Sequence, residues 1–150
     1  MKKILAIISI LFFFSLIGSQ VWAAETIKIG VPLSMTGPYT DTGDNYWKGI
    51  KMAVDEINEA GGLLGKQVES VRFDAQEFAP ERVMQGADYL CGKLAVDSVH
   101  AGWAGWGQDV RAYGKYTAPF FADDGSQAAV DVYRQDKKQY NNIFIFRVLL

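Results

Sequence analysis

The sequence has few of the side chains on which most catalytic and metal sites depend, because its 150 residues include one cysteine and one histidine. The lone Cys91 excludes an intrachain disulfide, and together with His100 it supplies too few ligands for a zinc site. No serine stands in a G-x-S-x-G turn, and no G-x-G-x-x-G stretch opens a helix after the first strand-like segment. We therefore predict that the protein is not an enzyme and that it holds no metal and no cofactor.

The sequence also lacks a strong excess of one charge. It has 15 lysines and arginines against 17 aspartates and glutamates, which gives a formal net charge of −2. Proteins that bind nucleic acids usually carry a clear basic excess on one face. We therefore expect no nucleic-acid partner.

No hydrophobic run is long enough for a permanent membrane anchor. The main apolar run covers residues 4–17, which is shorter than the roughly 18 to 20 residues that a membrane-spanning helix needs. Two lysines precede the run and a short polar stretch follows it, which is the layout of a secretory signal peptide. Cleavage after Ala23 satisfies the need for small side chains at the first and third positions before the cut, because Val21 is the third. We predict a signal peptide over residues 1–23 and an exported protein that is not inserted in the membrane after cleavage.

Short apolar strands alternate with amphipathic helices along the rest of the chain. The predicted strands cover Ile27–Leu33 and residues 68–73, 96–101, 119–122 and 143–148, and the predicted helices cover residues 43–60, 81–94 and 109–116. Gly61 and Gly62 stand where the first helix needs positive φ to end, and Pro80 suits the first position of the second helix. Strands joined by helical crossovers form parallel sheets. We predict an α/β fold with a doubly wound parallel sheet.

Ligands of such sheets bind at the carboxyl ends of the strands. Three loops are predicted there, over residues 34–42, 102–108 and 122–127, and the second and third carry five candidate ligand contacts: Trp103, Trp106, Asp123, Asp124 and Ser126. The tryptophans either stack on a ligand or pack against neighbouring helices. The aspartates either receive a ligand's ammonium group or are ordinary turn residues. Ser126 either binds a ligand carboxylate or caps a helix that begins at Gln127, and one hydroxyl can do both.

Several motifs together resemble the leucine/isoleucine/valine-binding periplasmic proteins. They are I-K-I-G-V-P-L-S-M-T-G-P at 27–38, G-D-x-x-x-K-G at 43–49, A-V-D-E-I-N-E-A-G-G-L-L-G-K-Q-V at 53–68, and A-P-F-F at 118–121. The resemblance implies a type I bilobal fold whose lobes close on a small polar solute, an amino acid or a related compound. Residues 24–150 would form the N-terminal lobe, with the second lobe missing.

The same resemblance implies a function and its partners. Such a protein is the periplasmic solute-binding component of an ABC importer, works with a membrane permease, and is a monomer at full length. The alternative is a ligand-binding sensor domain of a receptor, because receptors use the same fold.

The resemblance also implies site residues. The segment that binds the solute's carboxylate in the family maps onto Asp124, Gly125 and Ser126, and the contact in the first loop falls near Thr42, with Tyr39 close by. A family serine falls at Trp106, so this chain departs from the family pattern there. We therefore expect a solute-binding transport protein, but we do not restrict its solute to leucine, isoleucine or valine. Proteins similar to this family take aromatic acids, amides or urea.

Overall fold

The structure, a computed structural model, describes residues 26–102, 106–123 and 125–146. Five strands form one sheet: β1 (Ile27–Leu33), β2 (Val68–Asp74), β3 (Ser98–Ala101), β4 (Phe120–Ala122) and β5 (Ile143–Ile145). Their order across the sheet is β2-β1-β3-β4-β5, and every neighbouring pair is parallel. The crossovers contain α1 (Thr40–Glu59), α2 (Pro80–Ala87), α3 (Gly107–Tyr113) and α4 (Gln127–Gln135). The predicted α/β fold with a parallel sheet is confirmed.

The helices cover both faces of the sheet. Helix α1 packs against β1 and β2, where Val31, Leu33 and Val54 are buried. Helices α2, α3 and α4 pack together on the other face, over Val99 and Phe120, which are fully buried. Parallel strands need cover on both faces because both of their faces carry apolar side chains.

The bounds of the first two helices differ from the sequence-based prediction. Helix α1 begins at Thr40 instead of residue 43, because the chain turns into the helix at once and the Thr40 hydroxyl donates to the Gly37 carbonyl at 2.7 Å. The second helix does not stay α-helical to residue 94, since α2 ends at Ala87 and a π-helical segment, Asp88–Lys93, continues it. This wider segment holds the fully buried Leu90 against β1.

Three later elements are also displaced by one to three residues. Strand β3 begins at Ser98, because the Val96 N–H donates to Leu90 of the π-helical segment instead of to a strand. Strand β4 begins after Pro119, which has no N–H to give to a sheet. Helix α3 covers Gly107–Tyr113 instead of residues 109–116. Strand β5 covers Ile143–Ile145, so Phe146 lies beyond its end although it was predicted within the strand, and residues 147–148 lie outside the described chain.

Two further expectations concern the chain's ends and turns. Gly61 and Gly62 follow α1 with φ of 102° and 84°, as predicted for the residues that end the helix. In the part of the chain that the structure describes, no helix is long and apolar enough to cross a membrane. The predicted signal peptide, residues 1–23, lies outside the described residues.

A row of aromatic rings, which we call the aromatic ladder, lies on the same face of the sheet as α1, along β3, β4 and β5. The ring centroids of His100 and Phe121 are 4.7 Å apart, and those of Phe121 and Phe144 are 5.1 Å apart. Phe146 completes the row, at 6.3 Å from Phe121. Phe144 and Phe146 are 46% and 54% exposed. This part of the sheet face is therefore partly exposed at Phe144 and Phe146.

Candidate functional site

A small cleft lies at the carboxyl end of the sheet, where the β1–α1 loop meets the end of β3. Its volume is about 50 Å³, and it is lined by Pro32, Leu33, Ser34, Tyr39, Thr42, Gly43, Tyr46, Phe78 and Gly102. This is the edge at which ligands bind in open parallel sheets. The cleft is therefore the candidate ligand site.

One face of α1 supplies most of the polar lining. Tyr39 directly precedes α1, and Thr42, Gly43 and Tyr46 follow it at three, four and seven residues, which places the four positions on one side of the helix. A Cβ on Gly43 would overlap the carbonyl group of Ser34. The first turn of α1 can therefore lie directly against the end of β1, and this contact brings Thr42 and Tyr46 into the cleft.

Tyr46 spans the cleft from α1 to the loop after β4. Its hydroxyl donates to Asp123 Oδ2 at 2.7 Å, and its ring covers Gly102 so closely that a Cβ there would overlap it. Burial raises the pKa of the Tyr46 hydroxyl far above its usual value, and the hydrogen bond and negative charge of Asp123 raise it further. The hydroxyl is therefore a permanent donor to Asp123.

Asp74, at the end of β2, holds the first loop in place. Its carboxylate accepts from the Met35 N–H at 2.9 Å, from the Thr36 hydroxyl at 2.8 Å and from the Gln76 N–H at 3.0 Å. Burial raises the pKa of Asp74, but these hydrogen bonds to the charged form outweigh burial and lower the pKa below its usual value. The wall of the cleft formed by the first loop therefore depends on an ionised Asp74.

The floor of the cleft is built on a backbone conformation that side chains rarely adopt. Gln76 and Phe78 have φ of 51° and 58°, in the left-handed region. The Gln76 carbonyl accepts from the Ser34 hydroxyl, and the Phe78 carbonyl accepts from the Gln108 side chain at 3.3 Å. Strained backbone of this kind persists where its surroundings hold it and is common at ligand sites.

The structure brings two of the predicted contacts into the cleft and places a third at its edge. Tyr39 and Thr42 line the cleft, and Asp123 touches it through Tyr46. Trp106 does not line it: it precedes α3, is 51% exposed, and its backbone N–H donates to the Asp109 carboxylate at 2.9 Å. Trp103 and Asp124 lie outside the described residues. Whether any of these residues contacts a ligand stays a prediction.

The loop after β4 uses its remaining predicted residues for structure. Ser126 caps α4, since its hydroxyl accepts from the Ala129 N–H at 3.2 Å, which confirms the capping alternative. Gly125 is buried, and its N–H donates to the Phe146 carbonyl at 2.9 Å. That N–H is therefore already engaged, and it could donate to a ligand carboxylate only if this bond broke.

Tyr46 and Phe78 line the cleft but stand outside the loops that were predicted at this edge, whereas Ser34 lies in the predicted loop 34–42 without having been named as a contact. Tyr46 could have been found, because it stands four residues after Thr42 and off the apolar stripe of α1. His100 is half-buried and stacked on Phe121, which is a packing role within the sheet. Among the described residues, no group of three His, Cys, Asp or Glu side chains is placed to hold a metal ion.

Comparison with known proteins agrees with this architecture. A leucine-, isoleucine-, valine-, threonine- and alanine-binding protein of Pseudomonas aeruginosa is 42% identical over 83 residues, which are 51% of this chain and 22% of that protein. A Leu/Ile/Val-binding protein of Escherichia coli K12 is 33% identical over 87 residues, or 53% of this chain and 24% of that protein. The chain thus matches less than a quarter of the length of these relatives.

A solved structure gives the same result in three dimensions. The branched-chain amino acid transporter substrate binding protein of Streptococcus pneumoniae, in complex with isoleucine, superposes with a TM-score of 0.67 and 30% identity. The superposition covers 82% of this chain and 34% of that chain. The family model for periplasmic binding proteins matches residues 26–147, nearly all of the chain that follows the predicted signal peptide. This chain therefore belongs to the periplasmic binding protein family.

Proposed function

We propose that the chain forms the first lobe of the extracytoplasmic solute-binding component of an ABC importer, which captures a small polar solute and catalyses nothing. The observation that carries the proposal is the cleft itself. It lies at the ligand-binding edge of the sheet, and its lining combines four residues that carry a hydroxyl, Ser34, Tyr39, Thr42 and Tyr46, with apolar residues. Such a lining suits a solute with both polar and apolar parts.

The size of the cleft supports a second lobe. Sites for small molecules usually enclose roughly 300 to 1,000 Å³ and cover most of the ligand's surface, whereas this cleft has about 50 Å³. One lobe would therefore leave most of an amino acid in water. A second lobe that closes over residues 24–150 would supply the missing cover.

The solute class and the partners follow from the same family membership. The relatives described above bind branched-chain and other small amino acids, which supports an amino acid or a related compound as the solute here. We propose export by a signal peptide cleaved after Ala23, a periplasmic location, and delivery to a membrane permease by a monomeric full-length protein. Amino-terminal sequencing of the secreted protein tests the cleavage site, and a start other than Ala24 would contradict it.

A thermal-shift screen of the full-length mature protein tests solute binding. The panel contains leucine, isoleucine, valine, threonine, alanine and 4-hydroxybenzoate, because a ligand that binds only the native state raises the melting temperature by mass action. We expect at least one compound to raise it by several degrees when present at about a hundred times its dissociation constant. A well-folded protein that responds to none of them would contradict the proposed function.

Two matched variants test whether the solute binds in the cleft. Thr42→Val removes a cleft hydroxyl at nearly constant volume, and Thr117→Val makes the same change at an exposed position near the opposite edge of the sheet. We expect weaker solute binding from the first and unchanged binding from the second. Equal affinities in both variants would place the site elsewhere. If the solute is bound but the full-length protein carries a membrane span and a signalling domain, the sensor alternative replaces the importer.

A further inference from the structure

The carboxylate of Asp123 stands at the edge of the cleft, where it accepts from the Tyr46 hydroxyl. This residue follows β4 directly, and its N–H donates to the Ala101 carbonyl of β3 at 3.1 Å. Its backbone is thereby held at the carboxyl end of the sheet, next to Gly102 of the cleft, while its side chain is exposed. The carboxylate is therefore open to a solute that enters the cleft.

Tyr46 orients this carboxylate. Its hydroxyl donates to Oδ2 of Asp123 at 2.7 Å, and the raised pKa of Tyr46 keeps the donor proton in place. Among the residues that the structure describes, no group donates to the second oxygen, Oδ1. One oxygen of Asp123 is thus engaged by the protein, and the other is left for a donor that comes from the solute.

No positive side chain offsets the charge of Asp123 within the described part of the chain. The cleft has no lysine or arginine in its lining, and no described lysine or arginine lies within ion-pair distance of Asp123. The nearby His100 is a poor counter-ion: burial lowers its pKa, and the opposing effect of Asp123 does not restore it. A solute would therefore meet an uncompensated negative charge at this edge.

We propose that Asp123, oriented by Tyr46, is a specificity-determining residue that selects solutes with an ammonium group over solutes whose only charge is negative. The proposal rests on the solute-binding function proposed above and concerns the same cleft. An ammonium group donates a charge-assisted hydrogen bond to Oδ1, whereas a carboxylate in its place would be repelled. Tyr46 acts as a positioning residue, because it holds Asp123 in the orientation that leaves Oδ1 free.

The test compares amino acids with the same molecules lacking the amino group. Isothermal titration calorimetry of the full-length mature protein measures the affinities of leucine, valine and alanine, and of 4-methylpentanoate, 3-methylbutanoate and propanoate. We expect each bound amino acid to bind about tenfold to a hundredfold more tightly than its matched acid, as is usual for a hydrogen bond to a charged group.

Three variants test whether Asp123 causes the preference for amino acids over their matched acids. Asp123→Asn should remove most of it, and Tyr46→Phe, which removes only the orienting hydroxyl, should reduce it by a smaller factor. Asp131→Asn removes the same charge from an exposed position of α4, where the side chain accepts only from Gln127 among the described residues, and should keep the full preference.

The outcomes separate this inference from the proposed function. If no amino acid and no acid binds to the folded protein, the proposed function fails. If solutes bind but the acids bind as tightly as the amino acids, or if Asp123→Asn keeps the preference, the specificity role of Asp123 is wrong while the solute-binding function stands. Binding of 4-hydroxybenzoate without binding of any amino acid would also show that the specificity role of Asp123 is wrong while the solute-binding function stands.

Discussion

Tyr46 lies so close to Gly102 that the two residues leave no room for any side chain at position 102. A Cβ built on Gly102 would overlap the Tyr46 ring at Cε2 and Cδ2. The glycine at the end of β3 thus makes space for a tyrosine from α1, and that tyrosine reaches Asp123. Glycine at position 102 is therefore needed because of its contact with the Tyr46 ring.

We therefore predict that Gly102→Ala displaces Tyr46 and damages both stability and solute binding. Forcing an extra carbon into a packed site typically costs about 1 to 3 kcal/mol. The free energy of unfolding, from urea denaturation of the full-length protein, measures the first effect, and calorimetry with the solute measures the second. Gly49→Ala is the control, because a Cβ at this position of α1 meets nothing within 4 Å; it should stabilise the helix by up to about 1 kcal/mol.

A second variant shows whether the clash with Tyr46 is the cause. Replacing Tyr46 by alanine in the Gly102→Ala background removes the ring that the new Cβ meets. The free energy of unfolding of the double variant should then be higher than the value obtained by adding the losses of the two single variants. Simple additivity would show that the contact between position 102 and the Tyr46 ring does not cause the loss of stability.

The sequence allowed the sheet to be predicted better than the cleft. Strand β1 was predicted at both of its ends, because apolar residues alternate with others along it and it leads directly into the Ser-Met-Thr-Gly-Pro loop. The hydrogen bond from Tyr46 to Asp123 joins residues 77 positions apart. No local pattern reports such a contact, since it depends on how closely α1 approaches β3, which Gly43 and Gly102 together permit.

The cap of α4 illustrates a case in which local chemistry was sufficient. The sequence left Ser126 as a cap or a ligand contact, and the structure shows its hydroxyl accepting from the Ala129 N–H. An N-cap signal involves only neighbouring residues, so it can be read without knowledge of the fold. The ligand role involves a solute and a tertiary site, and it stays a prediction.

We predict that Ser126→Ala lowers the free energy of unfolding by about 1 kcal/mol, because the Ala129 N–H loses its acceptor. Ser126→Asp should restore most of that stability, since aspartate caps helices as well as serine does. Chemical denaturation of the three proteins measures both effects. A variant Ser126→Ala as stable as the parent would mean that water replaces the hydroxyl at no cost.

Asp74 makes stability depend on pH. Its pKa in the folded protein lies below the ordinary value of 3.8, because hydrogen bonds from Met35, Thr36 and Gln76 favour its charged form more strongly than burial disfavours it. Its contribution to stability is therefore fully present above the unfolded pKa and is lost as pH falls through the folded pKa. Protonation would release the first loop from the end of β2.

We predict that the free energy of unfolding falls more between pH 7 and pH 3 in the parent protein than in Asp74→Asn. The asparagine can still accept a hydrogen bond, but it has no charge to lose. Urea denaturation at a series of pH values measures the two curves. Parallel curves would show that Asp74 contributes no linkage, and that other carboxylates cause any acid destabilisation.

The aromatic ladder predicts how residues 24–150 behave when they are produced alone. Phe144 and Phe146 expose about half of their surface on one face of the sheet. Parallel sheets are normally covered on both faces, and a contiguous exposed apolar patch tends to associate with other surfaces. We expect this polypeptide to bind the dye 1-anilinonaphthalene-8-sulfonate while keeping native secondary structure, and to bind the solutes of the panel weakly.

Replacing both phenylalanines by serine should remove most of the dye fluorescence. Leu64→Ser is the matched control, because Leu64 is 90% exposed but stands in a turn away from the ladder. A single exposed side chain offers no extended surface to a dye, whereas stacked rings do, so this control should leave the fluorescence unchanged. Equal losses from both changes would mean that the dye responds to exposed apolar area in general, and the ladder would then have no special role in exposing the sheet.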